Sequence, residues 1–152
     1  MSDLGLSGKR VIVTGAAGGL GRGFAQGFAK AGAKVLVADI NEEGAAQTAE
    51  DINDTGSDAY SSKVDVTNAA SCQALADVAQ AKLGGLDILV NNAAIYAGLE
   101  RQNFEDLDET VWDKVMSVNV KGVWQMCRAM TPHLKASGAG AIINVASATV
   151  FL

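Results

Sequence analysis

The sequence predicts an α/β fold, a doubly wound parallel sheet with the strand order 3-2-1-4-5 and right-handed crossovers. Three observations carry this. Short β-rich apolar runs alternate with longer stretches of helical period, which is the pattern of βαβ units. Four of the five strand candidates are nearly continuous apolar runs, as strands covered on both faces should be. The first strand also runs directly into a glycine-rich turn that opens a helix, RVIVTGAAGGLGRG at residues 10–23.

In chain order, the strand candidates are RVIVT (10–14), KVLVAD (34–39), DAYSSKVD (58–65), DILVN (87–91) and AIINVA (141–146). Gly32, Gly56, Gly84, Gly85, Gly138 and Gly140 punctuate their boundaries. Helices are expected over 19–31, 42–53, 68–83 and 108–137. In the third, Cys72, Leu75, Ala79 and Leu83 recur at helical steps and form one apolar stripe facing a sheet. The fourth is different. At ~100° per residue its apolar residues, from Val115 and Met116 to Ala129 and Met130, cover roughly 240°, with Ser117, Lys121, Gln125 and Arg128 on the polar remainder. Such a helix is expected to be buried on two sides, by the sheet and by another element or a partner subunit. Pro132, the only proline, should kink or end it.

With 152 residues, 49% of them hydrophobic and 19% charged, the chain is expected to be one domain or part of one, spanning 1–152 without a linker or repeat. The net charge of -5 and the scattering of the 12 Lys and Arg give no footprint for nucleic acid or an anionic membrane. The start, MSDLGLSGKR, lacks the layout of a signal peptide, and no apolar run approaches the ~18 residues that span a bilayer, so a cytoplasmic location is expected. Cys72 and Cys127 have no C-x-x-C spacing and His133 is the only histidine, so packing cysteines and no metal site are expected.

The chemistry begins at the glycine turn. Gly15, Gly19 and Gly21 are spaced T-G-x-x-x-G-x-G, with Leu20 between the last two. Glycine at a strand-to-helix turn permits positive φ and close backbone approach to a diphosphate, while the helix start favours anions. A tight turn without a ligand is the competing reading. Asp39 ends the second strand, where a carboxylate accepts from ribose hydroxyls and repels a 2′-phosphate, favouring NAD over NADP; an ordinary strand-end Asp capping the next turn is the competing reading. Its neighbour Ile40 offers no cation for a phosphate.

These stretches, taken together, resemble the short-chain dehydrogenase/reductase family, a Rossmann-like fold, along the whole chain. TGAAGGLG (14–21) looks like the family's cofactor loop and DV (65–66) like its adenine contact. NNAA (91–94) stands where the family usually has Asn-Asn-Ala-Gly, so Ala94 adds a Cβ. NVKG (119–122) and INVAS (143–147) look like the active-site Asn and Ser segments. The resemblance implies that Asp65 and the Val66 backbone contact adenine, and that Asn91 and the backbone around Ala93 line the adenosine pocket while Asn91 steadies the sheet. It implies that the main chain of Asn119 holds a water in a proton relay, with a local helix distortion there, and that Ser147 steadies the substrate oxygen. From the residues alone, Asp65 reads equally as a helix N-cap with Thr67, and Asn119 as a core amide bridging backbone groups.

The family's acid/base is a tyrosine in a Tyr-x-x-x-Lys pair, the lysine lowering a phenol pKa of ~10. Tyr60 is one residue too close to Lys63, and Tyr96 has no lysine nearby. By family spacing the pair is expected beyond Leu152. The implied complete enzyme interconverts a small-molecule secondary alcohol and a ketone with NAD and assembles as a homodimer or homotetramer through the fourth helix. These 152 residues by themselves are expected to be inactive, and a non-catalytic NAD-binding module is the alternative.

Overall fold

The computed structural model describes residues 4–96, 98–99 and 102–147. Five parallel strands form one sheet in the expected order β3-β2-β1-β4-β5. They are β1 Arg10–Thr14, β2 Lys34–Asp39, β3 Ala59–Lys63, β4 Ile88–Asn91 and β5 Ala141–Asn144. The helices are α1 Gly19–Lys30, α2 Glu42–Asn53, α3 Ala69–Leu83, α4 Glu109–Met116 and α5 Val123–Ala136. Among the described residues no helix is long and apolar enough to cross a membrane.

The two-residue period of the strands sorts the core into two layers. Val11, Val13, Val35 and Val37 pack with Ala25, Ala29, Ala45 and Ile52 of α1 and α2. Ile12, Leu36 and Leu89 pack on the other face with Leu75 and Ala79 of α3 and with Met126 and Met130 of α5. Each such fully buried aliphatic side chain contributes about 1.5–3 kcal/mol, so the two apolar faces of the central strands fix which strand lies inside.

The helix boundaries follow local chemistry. Asn41 caps α2 by accepting from the Gly44 N–H at 3.1 Å, and Asn68 caps α3 by accepting from the Ser71 N–H at 3.0 Å. Gly84, at φ +77°, ends α3 in the left-handed conformation that glycine favours. At the amino ends of the strands, Arg10 and Asp87 bind through two parallel bonds, Nε–Oδ2 at 2.8 Å and Nη2–Oδ1 at 2.9 Å. This pair ties β1 to β4.

Two expectations are corrected here, the length of the fifth strand and the end of the fourth helix at Pro132. The strand expected over 141–146 is shorter, and all four residues of β5, an edge strand paired with β4, are exposed. The fourth helix runs without a gap from Glu109 to Ala136, and the distortion expected at Asn119 is a π-helical turn, Ser117–Gly122, between α4 and α5. Within the chain one side of it is covered: Met126 and Met130 are buried, while Trp112, Val120 and Trp124 are each more than half exposed on the side expected to meet another element or a partner subunit. Pro132 does not end α5, which runs on to Ala136. Leu134 in the last turn is anchored in the core, and Thr131 Oγ1 donates to the Cys127 carbonyl at 2.6 Å, which together hold the helix past the missing N–H.

Candidate cofactor and active site

All five strands are parallel, so their carboxyl ends share one edge, and at that edge lies a cavity of about 730 Å³, within the range of cofactor pockets. Its wall combines the glycine turn, Asp39 with Ile40, residues 64–67, residues 92–96, and Lys114, Ser117 and Val118 from α4 and the π-turn. The site thus forms where the chain reverses its direction of winding, between β1 and β4.

The glycines divide their work. A Cβ on Gly15, whose φ is +65°, would stand 2.7 Å from the Ala93 Cα, so this residue allows β1 and the turn after β4 to touch. A Cβ on Gly21 would stand 2.1 Å from the Gly15 carbonyl oxygen, so this one allows α1 to press onto the turn. Gly19, at φ +53°, has nothing within 4 Å of its would-be Cβ. That opening faces the cavity. Among the described residues no side chain caps α1 and its first turn holds no acid, which leaves the helix start able to receive an anion. The cradle therefore fits a diphosphate-bearing ligand.

A latch that sequence reasoning missed holds this turn in place. The Asn92 side-chain amide donates to the main-chain oxygens of Thr14 and Gly15, both at 3.0 Å. Thr14 Oγ1 accepts from the N–H groups of Asn92 and Ala93, both at 3.1 Å. The signal for this latch is the doubled Asn of NNAA, of which only the first, Asn91, carries an expected role, in the adenosine pocket and the sheet.

Asp39 lines the cavity, and its two oxygens accept from the N–H groups of Ala17 and Asn41, each at 2.9 Å. The carboxylate thus fastens the glycine turn to the loop after β2. Asp65 also lines the cavity, with Oδ1 accepting from the Thr67 N–H at 2.9 Å and hydroxyl at 2.7 Å. That is a local Asx turn rather than the helix cap read from the residues; the cap of α3 is Asn68. Val66 is buried beside it, and its carbonyl accepts from Gln125 Nε2 at 3.0 Å.

Of the eleven candidate residues, the cavity wall brings together Gly15, Gly19, Leu20, Gly21, Asp39, Asp65, Val66 and Ala93. Asn91 is not in it. Its side chain points to the α5 side of the sheet, donating to Asn144 Oδ1 at 2.9 Å and to the Cys127 sulfur at 3.4 Å, with Oδ1 buried and unpaired. Asn119 lies in the π-turn, the distortion expected there. Its side chain brackets the backbone of Ile95, accepting from the N–H at 2.8 Å and donating to the carbonyl at 3.0 Å. Ser147 follows β5 on the exposed edge, three residues past Asn144.

Gln125 is a second residue whose place the sequence misassigned. The helical wheel put it on the polar face, yet it is 4% exposed. The π-turn holds more residues per turn than an α-helix, so everything after Gly122 is rotated relative to a wheel drawn at ~100° per residue. Asn119 lies inside the shift and Gln125 beyond it. Its neighbour across the loop, Cys72, is buried and its thiol pKa is pushed up, chiefly by that burial.

Comparison with known proteins agrees with this geometry. The family model described as short chain dehydrogenase matches residues 9–151. D-threitol dehydrogenase of Mycolicibacterium smegmatis is 38% identical over 99% of the chain, and galactitol 2-dehydrogenase of Agrobacterium fabrum is 40% identical over 93%. The chain spans 57% and 54% of those two proteins. The crystal structure of hydroxysteroid dehydrogenase from Escherichia coli superposes with a TM-score of 0.85 at 36% identity, covering 93% of this chain and 59% of that one.

Proposed function

Since the chain belongs to the short-chain dehydrogenase/reductase family, matched over residues 9–151, we propose that it carries the cofactor site of an NAD-dependent oxidoreductase interconverting a secondary alcohol and a ketone. The observation that supports this reading is the cradle itself. Gly15 and Gly21 let the turn pack tightly against the segment after β4 and against α1, Gly19 opens to the cavity, and two carboxylates, Asp39 and Asp65, stand along the same wall.

When bound, the nicotinamide cofactor supplies the hydride acceptor or donor. The chain's own residues bind and orient. The open start of α1 and the glycine turn receive the diphosphate, Asp39 accepts from the adenosine ribose hydroxyls, and Asp65 with Val66 meets the adenine. Asp39 beside the exposed Ile40 supports NAD over NADP, because a 2′-phosphate would meet a carboxylate and no neighbouring cation. Ser147 holds the substrate oxygen, and the main chain of the π-turn at Asn119 holds a water for proton relay.

No Tyr-x-x-x-Lys occurs within residues 1–152, so this stretch by itself is proposed to bind NAD without turning over alcohol. A dinucleotide-binding module without catalysis is the second reading that this fact supports. Calorimetric titration tests the first claim: NAD should bind, and more tightly than NADP. No binding, or tighter NADP binding, would overturn it. Nicotinamide absorbance during incubation with secondary alcohols then separates the readings, since turnover by the 152-residue chain would contradict the inactive assignment.

A further inference from the structure

We propose that Gln125 is a positioning residue for the adenine end of the cavity, holding the Val66 backbone from α5. The inference rests on the reading of Asp65 and Val66 as the adenine contact. The loop at 64–67 is pinned locally by short-range bonds: Thr67 donates to Asp65 Oδ1, and the Asp65 N–H donates to Ser71 Oγ at 2.9 Å. Gln125 adds a tie of a different kind. Its amide comes from 59 residues away and donates to the Val66 carbonyl at 3.0 Å, with the glutamine only 4% exposed. A carbonyl accepts only, so the NH₂ end must face it and the orientation of the amide is set by chemistry.

The same helix grips Val66 a second time. A Cβ on Gly122 would stand 2.7 Å from Val66 Cγ2 and 3.2 Å from its Cβ, so the absence of a side chain there lets the π-turn lie against the valine. Valine is stiff about χ1 and cannot step aside. Both grips depend on the π-turn, which rotates Gln125 inward from the face where an unbroken helix would put it. One helical segment therefore fixes two separate parts of the wall, Ile95 through Asn119 and Val66 through Gln125. A change at Gln125 is expected to loosen the adenine wall while sparing the glycine turn.

The test is titration of the intact protein with AMP and, separately, with nicotinamide mononucleotide. Gln125→Met should weaken AMP about 5-fold, the worth of one buried hydrogen bond, and leave the nicotinamide mononucleotide Kd within about 2-fold. Gln125→Glu should bind AMP weakly when ionised and recover as pH falls, because the protonated carboxyl again donates to the Val66 carbonyl. A merely structural role would not produce that pH profile. Unchanged AMP affinity in Gln125→Met, an equal loss of both fragments, or a flat profile for Gln125→Glu would each overturn the proposal. Should the Met variant not fold, the pH profile of the Glu variant decides. Failure of the wild type to bind AMP, or an Asp65→Ala variant that binds it as tightly as the wild type, would instead overturn the adenine reading.

Discussion

Asn119 holds both main-chain groups of Ile95, its Oδ1 2.8 Å from the N–H and its Nδ2 3.0 Å from the carbonyl. A single amide thereby joins the π-turn to the segment after β4, in the way a strand neighbour would. Asn119→Leu leaves both groups of a partly buried backbone without this partner and should cost about 1–3 kcal/mol. Urea unfolding should show a lower midpoint with an unchanged m-value; an unchanged midpoint would show that the bracket is dispensable.

The glycines of α1 should divide sharply by position. Gly21→Ala puts a Cβ 2.1 Å from the Gly15 oxygen, so the turn must move and NAD affinity should fall at least ~10-fold. Gly23→Ala meets nothing within 4 Å and should stabilise the fold by about 0.5–1 kcal/mol with NAD binding unchanged. Calorimetry and thermal melts on the pair report both effects, and equal NAD affinity in the two variants would refute the close-packing role of Gly21.

Asp39→Ala should narrow the preference for NAD over NADP. The substitution also frees the N–H groups of Ala17 and Asn41, loosening the turn for either cofactor. That loss is common to both, so the ratio of the two dissociation constants isolates the repulsion of the 2′-phosphate. A ratio equal to that of the wild type would show that Asp39 does not set the preference.

The Arg10–Asp87 pair should govern acid stability. The guanidinium of Arg10 holds the Asp87 carboxyl down to about 2, from an ordinary value of 3.8. A carboxylate depressed in the folded state contributes stability that is fully present above pH ~4 and is lost as pH falls through about 2. The shift corresponds to up to about 2 kcal/mol. Asp87→Asn should lose about that much at neutral pH and show a flatter stability profile between pH ~4 and ~2 in urea titrations. A profile parallel to the wild type would remove Asp87 from the account.

Exposed aromatic and aliphatic residues on α4, the π-turn and α5 should support self-association. Trp112, Val120 and Trp124 are 56%, 55% and 54% exposed on the uncovered side of the helix. Light scattering is expected to report a dimer or tetramer, and Trp112→Lys to shift it toward monomer. A wild type that is monomeric at all concentrations counts against this face as an interface.

Much of this molecule was legible in order and period. The apolar runs at β1, β2 and β4, the Gly15-Gly19-Gly21 turn, Asp39 at the end of β2 and Asp65 two residues past β3 are local patterns, and the topology brings the turn and both carboxylates to one edge of the sheet. Residues whose role depends on phase or partner were not legible. Asn91 and Asn92 are adjacent and identical in type, and only their directions on the strand end decide that Asn92 latches the glycine turn while Asn91 faces Asn144.

The sequence by itself determined the two-layered α/β sheet, its order and the place of the glycine cradle, because strand period, turn chemistry and crossover handedness are properties of short stretches. Tertiary structure alone decided the inward rotation of Gln125 and the exposure of β5. The physical reason is that a helix's phase, and the covering of an edge, depend on which surfaces meet it, and a periodicity drawn at constant pitch carries no information about either.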